Sequence, residues 1–441
     1  MNKIIKSLII LLFAGIILPL FFIDLNADTG FDESLFNKAN TYNLGIEEKS
    51  DYYKFTFDKN NKNDNEVDDK PSITFFTHGL SGKASDLSRD IRYQKNTFGY
   101  SETSILNTLH KKVDSNMYLC TFVDEFEFEL YKINDTNNKY TYTKIDHITD
   151  ISKHSFVCYS GYNTSEGNDY IYSQFNMMAS YVINDVKELK GGVLPKVNLI
   201  GHSRGGLTNM QFALDHPDIV DSIYSLNTPY LGTTIAIIDY NTVAESDGIV
   251  ENGGIRDIQD NEVYLSYYNR WNNNYDELYK DINVYAFGMY QNLEMLIYQL
   301  LYTQIRDICP EELLPIAYTF LATFVRVFAD LPRLIEVIHG LSRYMANDRG
   351  LQALDKLIDE LYVQNGEVVL EYDGLVDLDS QLGNDDANKY SYKGFERITY
   401  KLTANNSLIY KGTARGGMAV THAVAPYTKE AVDYIKDTIR L

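Results

Sequence analysis

Val197-Asn198-Leu199-Ile200-Gly201-His202-Ser203-Arg204-Gly205-Gly206 is the stretch on which the fold turns. Lys196 to Ile200 is a short apolar run of the kind buried on both faces of a sheet, and a helical pattern follows from Leu207 to Leu214. Between them, Gly201-x-Ser203-x-Gly205 has the spacing of a strand-to-helix elbow that carries a nucleophile. The serine of such an elbow sits on a strained turn, so its hydroxyl projects from the sheet. Side chains at the two glycine positions would collide with the neighbouring strand and helix. Alone, the five-residue pattern also fits a glycine-rich turn with an ordinary surface serine, so other residues must support it.

Working outward, Ser72 to Thr77 reads as a buried strand running into the turn His78-Gly79-Leu80-Ser81-Gly82. Asp51 to Phe57 reads as an earlier strand, and Asp58 to Lys70 is a polar loop that can bury little apolar area. Ser155 to Tyr159 is a further strand, with a helix from about Tyr170 to Leu189. Strands alternating with helices predict an α/β fold with a mostly parallel sheet flanked by helices on both faces. No internal repeat interrupts it.

The stretch from Ile235 to Tyr344 differs. Ile316, Phe320, Phe324 and Phe328 recur every four residues, and Leu334, Val337, Ile338 and Leu341 continue the stripe after Pro332. These helices either pack on the sheet or form a cap whose apolar face opens toward a lipid; the uncharged run Leu313 to Val325 is too short to span a membrane. Beyond them come an amphipathic helix from Leu351 to Leu361 and a strand Glu367 to Glu371 that ends at Asp373-Gly374-Leu375-Val376. Ser407 to Lys411 is strand-like, and Tyr427 to Ile439 is a closing helix. The chain is thereby divided into a leader (1–27), a first core part (28–235), a helical cap or lid insertion (236–347) and a second core part (348–441).

A serine hydroxyl needs a neighbouring imidazole to take its proton, and the imidazole needs an orienting carboxylate. Of eight histidines, only His422 follows both the serine and a carboxylate placed just after a late strand. Asp373 is that carboxylate, because it directly follows Val368-Val369-Leu370, where side chains emerge at the carboxyl edge of a sheet. Asp377 and Asp379 are the fallback. The developing oxyanion needs backbone donors, assigned to the N–H groups of Arg204 and Leu80. His78 reads as a hydrogen-bonding brace for its loop, His202 and His216 as structural, and His339 as packing.

Thr77 to Gly82, Val197 to Gly206 and Ser225-Leu226-Asn227-Thr228-Pro229-Tyr230-Leu231-Gly232 together resemble the bacterial triacylglycerol lipases and their relatives in the α/β-hydrolase superfamily. Asp373-Gly374-Leu375-Val376 resembles the segment that carries the acid in those lipases. The resemblance covers a little under half the chain, and it implies an α/β-hydrolase fold with Ser203, Asp373 and His422 as triad. It implies an ester hydrolase, lipase or carboxylesterase, acting on lipid or another acyl ester. The same apparatus would serve a phospholipase, a glycolipid deacylase or an acyltransferase, and a silent triad would leave a surface lipid- or protein-binding fold. Many such lipases have calcium-binding aspartates shortly after the histidine, whereas His422 is followed by Ala423-Val424-Ala425-Pro426, so calcium is not carried over. The chemistry so assigned needs no cofactor and no metal.

The chain of 441 residues has 40 Lys and Arg against 61 Asp and Glu, a net charge of −21. That balance disfavours nucleic acid as a partner, since a polyanion would be repelled. Lys3 and Lys6 precede an uncharged run from Ser7 to Ile23, the pattern of a signal peptide or an N-terminal membrane anchor. Either reading makes the protein secreted or extracytoplasmic, with membrane association through this segment and the cap. Without residues 1–27 the net charge is −22. Three cysteines allow at most one bridge, for which Cys120 and Cys158 are the candidates.

Overall fold

Short apolar runs ended by glycine or polar residues become the strands of one large sheet, as burial on both faces requires. The computed structural model describes residues 70–79, 105–136, 139–149, 152–162, 167–232, 261–290, 373, 376–385, 390–401, 422, 426 and 428–441. The first elements in chain order are β1 (Ser72–Thr77), α1 (Ile105–Lys112), β2 (Ser115–Phe122), β3 (Phe128–Thr136), β4 (Lys139–Ile145) and β5 (His154–Ser160). Next come α2 (Asn168–Leu189), β6 (Lys196–His202), α3 (Arg204–Asp215), β7 (Val220–Leu226), α4 (Asn261–Asn274) and β8 (Asn283–Tyr290). The last are α5 (Leu378–Leu382), β9 (Asn384–Asp385), β10 (Tyr390–Ser391), β11 (Phe395–Lys401) and α6 (Lys429–Thr438).

Nine strands form one sheet in the order β11-β8-β7-β6-β1-β5-β2-β3-β4, with β9 and β10 as a separate two-stranded ribbon. From β11 to β2 every neighbouring pair is parallel. The hairpin β3–β4 extends the β2 edge in antiparallel register. Parallel strands align their carboxyl ends, so the residues after β1, β6 and β7 gather along one edge.

Side chains alternate between two cores, as the two-residue period of a strand demands. On one face Phe75, Val157 and Leu199 meet α2, α3 and α4 through Phe175, Met210 and Trp271. On the other, Phe76, Phe156, Ile200 and Phe287 meet α1 and α6 through Leu109 and Ile435. Both faces are covered, and each buried side chain of this size contributes about 1.5–3 kcal/mol.

Two expectations need correction. Residues 261–290 belong to the core, although 236–347 was expected to form a cap: β8 pairs with β7 on one side and β11 on the other. Trp271 of α4 is wholly buried, and its indole N–H donates to the Lys393 carbonyl at 2.9 Å. The apolar stripe at 316–341 lies outside the described residues, as do residues 1–69, the strand expected at 367–371 and the strand-like run at 407–411.

The second correction concerns the cysteines. Cys120 and Cys158 are both free and buried. In the β2–β5 register Cys120 stands opposite Tyr159 and Cys158 opposite Leu119. Cys120 therefore points into the α2 core and Cys158 into the α1 core. With their Cβ vectors on opposite faces of the sheet they cannot be bridged.

Candidate active site

Ser203 occupies the turn between β6 and α3 with φ 55° and ψ −130°. For a residue with a Cβ this left-handed backbone costs on the order of 1–3 kcal/mol, and it persists only where the surroundings impose it. Here the Ser203 N–H donates to Leu226 O at 2.8 Å, and the Gly206 N–H donates to Ser203 O at 3.0 Å. Beneath the turn, the Thr77 hydroxyl donates to Gly205 O at 3.0 Å and joins the end of β1 to the start of α3. The end of β1 also presses against the serine, since a Cβ on Gly79 would lie 2.9 Å from Ser203 Cβ.

His422 reaches this edge from a distant part of the chain. Its Nδ1 is 2.7 Å from Asp373 Oδ2, and both side chains are buried. With a carboxylate as acceptor, Nδ1 carries the proton and Nε2 is left as the ring's acceptor. The His422 carbonyl accepts a hydrogen bond from His202 Nε2–H at 2.8 Å, and the two rings are 4.9 Å apart. The residue before the serine thus docks the backbone of His422 beside the elbow. Burial, with the like charge of His422 as a second cause, pushes the His202 imidazole down to about 3, so it is a neutral donor.

Asp373 is tied to Val376 and, through it, to α5. Its Oδ1 accepts from Val376 N–H at 2.8 Å, and its own N–H donates to Val376 O at 3.2 Å. Gln381 fixes α5 to the end of β8: its amide donates to Met289 O at 3.1 Å and Val376 O at 2.7 Å, and its oxygen accepts from Met289 N–H at 2.7 Å. The fallback carboxylates have other places. Asp377 caps α5 by accepting from Ser380 N–H at 2.8 Å, and burial pushes its carboxyl up to about 6. Asp379 is exposed.

Arg204 opens α3, so its N–H belongs to a first helical turn, where backbone donors have no partner within the helix. Leu80, expected to supply the other donor, lies outside the described residues. His78 Nε2 accepts from Gly161 N–H at 3.3 Å and Nδ1–H donates to Gly79 O at 2.9 Å, while its ring lies flat against Tyr159. It ties the end of β1 to the end of β5. His216 donates to Asn176 Oδ1 at 2.9 Å and links α3 to α2; His339 is not among the described residues.

One contact had no counterpart in the sequence reading. Asn227, just after β7, is fully buried, and its Nδ2 lies 2.6 Å from Asp373 Oδ2. Its φ of 52° is the only positive value at a non-glycine residue besides that of Ser203 among the described residues. An asparagine directly after a strand is the available sequence signal, since asparagine tolerates the left-handed region better than most residues.

Residues 157–249 match the family model described as alpha/beta hydrolase fold. This is the α/β-hydrolase fold. Among solved structures, it is similar to the product of gene lin2722 from Listeria innocua, 12% identical over 85% of this chain and 96% of that one, with a TM-score of 0.37. It is also similar to the mature form of lipase BlEst2 from Bacillus licheniformis, 14% identical over 54% of this chain and 74% of that one, TM-score 0.31. A third similar structure is phospholipase PlaB from Legionella pneumophila, 12% identical over 50% of this chain and 39% of that one, TM-score 0.30. Within the α/β-hydrolase fold, Ser203 stands after β6 and within the matched segment, whereas Asp373 and His422 come from outside it.

Proposed function

We propose that the protein is a serine hydrolase of carboxylic esters, lipid or other acyl esters, working through Ser203, His422 and Asp373. The observation that carries this reading is the buried Asp373–His422 pair at 2.7 Å beside a serine held in a left-handed elbow. Asp373 holds the imidazole with Nδ1 protonated, so Nε2 is free to take the Ser203 proton as the hydroxyl attacks the ester carbonyl. The same proton then passes to the leaving alcohol, leaving an acyl-enzyme. Water, activated in turn by His422, hydrolyses the acyl-enzyme and frees the serine. The N–H groups of Arg204 and Leu80 receive the oxyanion in both steps. Residues 1–27 direct the protein out of the cytoplasm, as a cleaved signal or as an anchor, and the apolar residues of the sequence stripe 316–341 meet the lipid.

The test uses a serine-directed fluorophosphonate and p-nitrophenyl esters of short and long chain, with protein lacking residues 1–27. Ser203→Ala is expected to lose labelling and to lower turnover by about 10⁴-fold or more. Labelling that survives in Ser203→Ala, or an intact protein that turns over no ester, overturns the assignment. A rise in rate when substrate passes from dissolved to aggregated form identifies a lipase rather than an esterase of soluble substrates.

A further inference from the structure

We propose that Asn227 is a positioning residue for the acid of this site: from a left-handed backbone at the end of β7, its amide fixes the orientation in which Asp373 meets His422. The proposal rests on the hydrolase reading above and assigns a role to a residue that does not itself react.

Asn227 is held where its side chain has little choice. Its N–H donates to Phe287 O of β8 at 3.0 Å, and the preceding Leu226 O accepts from Ser203 N–H at 2.8 Å. Two consecutive residues therefore anchor the nucleophile's backbone and the acid's carboxylate to the same strand end. Nδ2 is 2.6 Å from Asp373 Oδ2, the oxygen that also receives His422 Nδ1–H at 2.7 Å. An ionised carboxylate only accepts, so the amide must present its NH2 group there. With Val376 N–H on Oδ1 at 2.8 Å, three donors define the plane of the carboxylate. Remove the amide and Oδ2 loses one of the two donors that meet it here, leaving the carboxylate freer to turn about its Cβ–Cγ bond.

The backbone sharpens the point. A residue needed only for the turn would be best as glycine, which adopts φ 52° without steric cost. A strained asparagine, wholly buried and aimed at the acid, is explained by its side chain. The nucleophile and the acid's partner are thus the two non-glycine residues bearing a positive φ among the described residues.

Asn227→Gly separates the two roles, because it relieves the backbone and deletes the amide together. Measured well below the variant's own thermal midpoint, kcat is expected to be reduced about 10- to 100-fold with KM within about twofold. Asn227→Asp keeps the shape and tolerates the backbone but replaces a donor with an acceptor, so kcat is expected to fall at least as far. Wild-type kcat in either variant, with the wild type active and Ser203→Ala inactive, overturns the positioning role and leaves the hydrolase reading intact. A wild type that hydrolyses no ester overturns the hydrolase reading and this proposal with it.

Discussion

At the scale of single residues, the elbow depends on atoms that are absent. A Cβ on Gly205 would lie 2.5 Å from Thr77 O and 2.7 Å from His78 O, both backbone atoms at the end of β1. Neither can turn aside as the tip of a flexible side chain would. Gly205→Ala is therefore expected to cost about 1–3 kcal/mol, read as a lower urea midpoint with an unchanged slope. It should also lower ester turnover more than the remaining folded fraction explains, because the end of β1 is what presses on Ser203. Equal midpoints would show that the strand end can yield. The spacing Gly201-x-Ser203-x-Gly205 was legible in the sequence because its cause is local: three residues, one turn and no room. The partner of His422 was less legible. Asp373, Asp377 and Asp379 all lie in one short acidic stretch, and only the packing gives Asp377 a helix to cap and Asp373 an imidazole to hold.

At the scale of elements, the strand period decides what the cysteines can do. Burial pushes the Cys158 thiol up to about 12 and raises that of Cys120 well above its ordinary range, so both are protonated and poor nucleophiles. Neither is expected to react with iodoacetamide in the native protein, and both should be labelled after urea unfolding, as read by peptide mass spectrometry. A Cys120–Cys158 cross-linked peptide in a non-reducing digest would contradict the register of β2 and β5. Element type was legible where the pattern was long or sharply bounded: α2, β6, α3 and α6 all fall near the ranges their periodicity predicts. β8 was missed, although Val284-Tyr285-Ala286-Phe287-Gly288-Met289 is a short apolar run suited to a buried parallel strand. It sits among helical stripes, and apolar runs of that length do not distinguish a buried strand from a buried helical segment. The hairpin β3–β4 was missed for a different reason: as an edge of the sheet it carries many polar and charged residues.

At the scale of the whole molecule, histidines in three separate places give the fold a common response to acid. Burial lowers the affinity of His154, His202 and His216 for a proton, His202 furthest, to about 3. In the unfolded chain each titrates near 6.5, so below that pH the unfolded state binds more protons than the native state. Their stabilisation is complete above about 6.5 and is lost as pH falls toward the native values. Asp377 acts in the opposite sense: raised to about 6, it favours the folded state below its unfolded value, and that contribution disappears as pH rises through 6. His202→Gln cancels Asp377 from the comparison. The fall in unfolding free energy from pH 7.5 to pH 5 is expected to be smaller in the variant by on the order of 1–2 kcal/mol. Identical pH slopes by urea titration would show that His202 takes up its proton in the native state. The sequence by itself determined the fold class and the elbow around Ser203, since each follows from periodicity or from spacing within a few residues. Only the tertiary structure decided that β8 belongs to the sheet, that the two cysteines face opposite cores, and that Asn227 and His422 meet on one oxygen of Asp373. Those contacts join residues far apart in the chain, and they are set by strand order and register, which no local pattern contains.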